Sequence, residues 1–321
     1  MRLVAAAFLV GALCIVAASA NAEQYPSKPI SLLVGYPPGG SVDTTARLIA
    51  ERLSSMLQQP IVVTNRPGAS GNIAAGVLAK AAPDGYTLYV GTSINAVSVS
   101  LFKSLSYDPI KDFAPISKFV VAPSILVVNS AVPAKSVKEL VTLAKASPGK
   151  LSYATTGPGS SPHLCAELFS TLAGIKMLHV PYKGGGEVMQ DLLGGRVDLT
   201  FSNPTSVMQL IESGRIRALA VTTAERFSQM PNLPTMIDEG YPDFDLSAWY
   251  GLFAPSGTPS EIIALLNANI AKILTMPDVK EALAKQGLEA SPTTPEALGR
   301  ELKSDIAKYG KLLRDADVQP Q

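Results

Sequence analysis

From residue 30 onward the chain alternates short runs rich in β-branched and aliphatic residues with stretches whose apolar positions recur every three or four residues. Residues 30–36 read as a strand that ends in Pro37-Pro-Gly-Gly40. Ser41 then opens a segment in which Ala46, Ile49, Leu53 and Leu57 share one face, the spacing of an amphipathic helix. A second strand is predicted at 60–64, followed by the turn Asn65-Arg-Pro-Gly68 and a helix near 72–81. Residues 86–90 predict a third strand, running out at Gly91-Thr-Ser93.

The middle of the chain repeats the theme. Strands are predicted at 125–128, 151–154, 177–180, 197–201 and 217–222. Ser136 is placed to cap a helix reaching about 146. Pro162 stands at the first position of a helix that Gly174 ends, the usual asymmetry of proline at a start and glycine past a stop. After a strand over 249–253 the pattern is mostly helical, at 260–274, 278–285 and 295–313. Strand and helix in alternation argue for an α/β protein built on largely parallel sheets.

In such sheets ligands gather beyond the carboxyl ends of strands, where loops feed helix N-termini. Glycine, serine and threonine concentrate there: Pro37-Pro-Gly-Gly-Ser41, Gly91-Thr-Ser93, Thr155-Thr-Gly-Pro-Gly-Ser-Ser161, Lys183-Gly-Gly-Gly186 and Ser202-Asn203. Glycine lets backbone N–H groups approach a ligand, hydroxyls add donors, and each helix start carries about half a positive charge. Singly, each loop reads as a turn; five together point to a small anionic or hydroxylated ligand. His163 has two roles open to it, donating to a bound carboxylate or capping its own loop. Lys183 has two as well, neutralising a ligand charge or standing in solvent. Asp43 reads as a stabiliser of its helix start, since it would repel an anion.

Composition narrows the classes. Met1-Arg2, an apolar run to Ala18 and Ala20-Asn-Ala22 have the order of a secretory signal peptide, so residues 1–22 are expected to be removed and the mature chain to start at Glu23. Removing Arg2 turns 27 basic and 26 acidic residues into 26 of each, which gives no basic patch for nucleic acid. Cys165 is then the one cysteine left and reads as a buried small hydrophobe. There is no phosphate loop and no nucleophile elbow. The two histidines have no Cys or carboxylate cluster for a metal. Neither a catalytic residue nor a cofactor is expected. A secreted hydrolase using Ser160 or Ser161 is the rival from another class.

Several of these segments also carry a family resemblance. Tyr36-Pro-Pro-Gly-Gly40 with Asp43, Asn65-Arg-Pro-Gly-Ala-Ser-Gly71, Pro83-Asp-Gly-Tyr86, Gly157-Pro-Gly-Ser-Ser-Pro-His163, Val180-Pro-Tyr-Lys-Gly184, Asp191-Leu-Leu-Gly-Gly195 and Gly251-Leu-Phe-Ala-Pro255 follow in an order that resembles the solute-binding receptors of tripartite tricarboxylate transporters, the Bug-type receptors. The resemblance implies a two-domain periplasmic-binding-protein fold, type II-like, with a ligand cleft between domains formed by 23–124 plus 248–321 and by 125–247. It implies a periplasmic monomer that hands a small organic mono- or dicarboxylate to a permease of one large and one small integral subunit; a receptor feeding a signalling protein is the alternative. The expected ligand residues are Tyr36, Gly39, Gly40, Thr92, Ser93, Thr156, Gly157, Gly159, Ser160, Ser161, His163, Tyr182, Lys183 and Asn203. The chain departs from the family at Gly185-Gly-Glu-Val188 and at Phe201-Ser-Asn203, where relatives often carry Ser-Ala-Pro-Ala-like residues and Phe-Asp-Asn.

Overall fold

The computed structural model describes residues 25–242, 244, 246–315 and 318–320; the signal peptide expected at 1–22 lies outside them. The chain runs β1 (Ile30–Val34), α1 (Ser41–Leu57), β2 (Ile61–Asn65), α2 (Asn72–Leu78), β3 (Thr87–Thr92), α3 (Ile94–Leu101) and β4 (Phe113–Ala122). It continues through β5 (Ile125–Asn129), α4 (Val137–Ala146), β6 (Ser152–Thr155), α5 (Ser161–Ala173), β7 (Leu178–Pro181), α6 (Gly185–Leu193), β8 (Leu199–Ser202), α7 (Pro204–Glu212) and β9 (Ile216–Val221). It closes with β10 (Ala248–Pro255), α8 (Ser260–Ile273), α9 (Pro277–Ala284), β11 (Glu289–Ala290) and α10 (Pro295–Asp315). Among the described residues no single helix is long and apolar enough to cross a membrane.

Two sheets result, in the orders β11-β4-β10-β3-β1-β2 and β7-β6-β8-β5-β9. They are mixed, which corrects the expectation of largely parallel pairing. β1 runs parallel to β2 and β3, and β6 parallel to β7 and β8. The antiparallel pairs are β10 with β3 and β4, β4 with β11, and β5 with β8 and β9. The reason is topological. The chain crosses between sheets from β4 to β5 and again from β9 to β10, and these four strands carry all the antiparallel pairings.

Alternation along the strands buries both faces. Leu32 and Val34 join one cluster with Ile49 and Leu53 of α1 and Leu266 and Ile270 of α8, while Leu33 on the other face joins Tyr89, Phe253 and Trp249. In the second sheet Leu126 and Val128 belong to that same central cluster, whereas Ile125 and Val127 pack under Leu192 of α6 and Val207 of α7. α10 lies across the two halves, against α3 and β4 on one side and α5 on the other. Trp249 is fully buried and its indole N–H donates to Asp305 at 2.8 Å, so it is a core residue. Cys165 is buried as read, and burial pushes its thiol up to about 12.

Candidate functional site at the strand ends

Five helices start directly after strands whose carboxyl ends line one edge of each sheet: α1 after β1, α3 after β3, α5 after β6, α6 after β7 and α7 after β8. Their N-cap positions are Gly40, Ser93, Ser160, Gly184 and Asn203, and none satisfies a helix N–H with its own side chain. α4 starts at the opposite edge, because β5 is antiparallel, and there Ser136 Oγ does accept from Glu139 N–H. The first N–H groups of a helix have no partner inside it, so an uncapped start leaves donors for a ligand.

On the first sheet Asp43 builds the loop over α1. Its carboxylate is 2% exposed; Oδ2 accepts from Gly39 N–H and from Arg47 Nε, both at 2.9 Å, and Oδ1 accepts from Asn65 Nδ2 at 2.8 Å. Asn65 also donates to Tyr36 O, so one asparagine fixes both ends of the loop. Burial alone would raise the Asp43 pKa; the hydrogen bonds from Arg47, Gly39 and Asn65 outweigh it and bring it down to about 2. Beside this loop the Tyr36 hydroxyl meets Thr92 Oγ1 at 3.1 Å, and Tyr250, opposite Thr92 across the β3–β10 pair, reaches Ser41 Oγ at 3.4 Å. Burial raises both phenols, so the four hydroxyls form a neutral cluster at the starts of α1 and α3. Thr92 N–H is held by Asn95 Oδ1 and Ser93 N–H by Trp249 O, and both residues are buried beside this cluster.

On the second sheet the loop 156–161 folds onto itself. Gly157 N–H donates to Thr155 Oγ1 and Gly159 N–H to His163 Nδ1, at 3.1 and 3.0 Å. Both glycines have positive φ, 110° and 74°, which a side chain would strain. The ring of His163 is 4% exposed, so of the two roles open to it the structure displays the capping of its own loop. His163 stacks on His179 at 4.4 Å between centroids, and His179 Nε2 meets Thr155 Oγ1 at 2.7 Å. The two imidazoles thus support, directly or through Thr155, the two glycine N–H groups. Ser160 Oγ donates to Gly157 O at 2.6 Å, so this hydroxyl and the Nδ1 of His163 engage loop backbone and not each other. Thr156 is exposed at the loop tip, and Ser161 opens α5.

The neighbouring junctions complete this edge. Tyr182 N–H donates to Thr155 O, and its hydroxyl donates to Asp191 Oδ2 at 2.7 Å. Lys183 is exposed, and its N–H donates to Glu187 Oε2. Gly185 and Gly186, read as loop, are the first turn of α6. Asn203 is exposed before Pro204. The sequence therefore found the junctions, but it overstated glycine N–H groups as ligand donors: those of Gly39, Gly157 and Gly159 are engaged within the protein. It did not reveal the partners of Ser41, Asn65 and Glu187, which are set by loops and strands meeting in space.

The two halves touch here. A Cβ on Gly159 would stand 3.6 Å from Leu101 Cδ1, at the carboxyl end of α3. Gln286 Oε1 accepts from Thr44 Oγ1 in the first turn of α1, and the adjoining Gly287 lies against Pro204 and Thr205 at the start of α7. One turn thus bridges the start of α1 to the start of α7.

Known proteins resemble the chain over most of its length. The profile of the tripartite tricarboxylate transporter family receptor matches residues 45–318. Protein BugT of Bordetella pertussis is 39% identical over 306 residues, covering 95% of this chain and 94% of that protein. Among solved structures, a Rhodopseudomonas palustris protein with adipate is 38% identical, with a TM-score of 0.72 over 92% of this chain and 100% of the other. A Polaromonas TctC solute-binding protein without ligand is 30% identical, with a TM-score of 0.81 over 90% and 99%. The chain belongs to the Bug-type receptors of tripartite tricarboxylate transporters.

Proposed function

We propose that the chain is a periplasmic receptor that closes two domains, 23–124 plus 248–321 and 125–247, on a small organic carboxylate and presents it to a permease of one large and one small integral subunit. The observation that carries this reading is the set of five uncapped helix starts at the carboxyl ends of strands in both sheets, with those of α1 and α7 joined through the turn at Gln286 and Gly287. Their N–H groups, with the hydroxyls of Tyr36, Ser41, Thr92, Ser93 and Ser161 and the amide of Asn203, suit an anion held without an arginine. Lys183 is the cation at this edge. His163 acts from behind the loop. The relative solved with adipate supports the substrate class. The better overlay on the Polaromonas receptor without ligand, despite its lower identity, supports reading the described arrangement as the ligand-free one. Residues 1–22 act as the export signal in this reading, and the receptor works as a monomer.

Ligand binding only to the folded chain raises its stability by about 2.7 kcal/mol at a concentration a hundred times Kd. A thermal-shift screen over aliphatic, amino and aromatic carboxylates should therefore yield a rise of several degrees for at least one. The same acid is expected by mass spectrometry of what the purified protein releases on denaturation. No rise with any of them counts against the reading.

A further inference from the structure

The five helix starts are not equivalent in charge. α3, α5 and α7 have no acidic residue in their first turn. α1 has Asp43, buried and paired with Arg47. α6 has Glu187, exposed at the edge, with Oε2 3.1 Å from the N–H of Lys183. A carboxylate in the first turn occupies the positive end of its helix and offsets the half charge there. The hydroxyl hydrogen of Tyr182 is engaged by Asp191, and Asp191 is paired with Arg196. Lys183 and Glu187 then offset each other, so the β7–α6 junction offers a second anion no net charge.

α6 lies next to α5. β7 and β8 flank β6 in the sheet, all three parallel, and adjacent strands lie about 4.8 Å apart. A ligand carboxylate seated at the start of α5 would therefore have its remaining atoms within one or two strand spacings of Glu187. That junction has room: a Cβ added at Gly184, Gly185 or Gly186 meets nothing within 4 Å. Space without positive charge suits an uncharged part of a ligand.

We infer that Glu187 is a specificity-determining residue that sets this receptor to acids with a single carboxylate, which lies at α5 while the uncharged remainder extends over Gly184–Gly186 toward α6. The inference rests on the carboxylate reading above and narrows it. It also sets this chain apart from its relative solved with adipate, an acid with two carboxylates.

Isothermal titration with matched pairs, hexanoate against adipate and benzoate against terephthalate, tests it on the purified receptor. The monoacid is expected to bind about two- to four-fold tighter than its diacid, the effect of one like charge at one or two strand spacings in water. Glu187→Gln keeps an oxygen for the Lys183 N–H and removes the charge. It should shrink the gap by about the same factor, and added salt should shrink it in the unaltered protein. A diacid bound as tightly as its monoacid, or a gap that Glu187→Gln leaves intact, overturns the assignment of Glu187 while the carboxylate reading stands. Binding of neither member of either pair overturns both.

Discussion

His163 presents the Gly159 N–H with an unprotonated ring nitrogen, and this ties the loop to pH. Burial, then the neighbouring His179, lowers the pKa of His163, with Glu167 pulling the other way; burial likewise lowers that of His179. A group whose folded pKa is depressed binds more protons when unfolded. The stability associated with it is present above the unfolded value, about 6.5, and is lost as pH falls toward the folded one. Tm should hold between pH 8 and 7 and fall below about pH 6.5, and His163→Asn, which keeps an acceptor but does not titrate, should flatten that fall. Asp43, with its pKa near 2, keeps its charge through this window and cannot account for the loss. Removing its carboxylate is a separate matter. Asp43→Ala strands the donors of Gly39, Asn65 and Arg47 and should cost about 1–3 kcal/mol in urea unfolding. The sequence placed Asp43 at a helix start from position alone; that it also anchors the loop before the helix depends on Asn65, 22 residues away, and no spacing rule reports that.

At the scale of elements, β1 and the turn before α2 are packed backbone to backbone. A Cβ on Gly35 would stand 2.5 Å from Gly71 Cα, and backbone cannot yield as a side chain can. Gly35→Ala should therefore destabilise by about 1–3 kcal/mol, read as a lower urea midpoint with an unchanged slope. Elements with clean periodicity were legible: β1, α1, β5, and α5 with its proline start and its Gly174 stop. The ones that escaped have physical reasons. β4 carries Pro115, and its pairing with β10 slips between Pro115 and Ser117, which breaks the alternation a strand is read by. α6 opens on two glycines, poor helix formers held in place by the burial of Val188 and Leu192 further on. α3 is short, and its apolar residues follow no clear stripe in sequence because Asn95 and Ser98 are buried with them, bonded to Tyr107 and Asn72.

At the scale of the molecule, the mixed sheets follow from two crossings that local pattern could not reveal, since the direction of a strand is decided by where the chain returns. Closure about those crossings should bring α3 and α5 nearer and reduce the radius of gyration when a bound acid is added, a change that small-angle scattering measures; a radius that stays fixed under saturating ligand would rule out closure. The crossings also lie side by side. Ala122 pairs with Ala248 across β4 and β10, and Ser124 O accepts from Thr222 N–H just beyond. Residues 123–247 therefore leave and rejoin the first sheet at a single paired position, as a long insert would. To the rest of the chain this stretch is a cartridge: exchanging it whole would replace the second sheet with α5, α6 and α7, while the first sheet and its surfaces stay as they were.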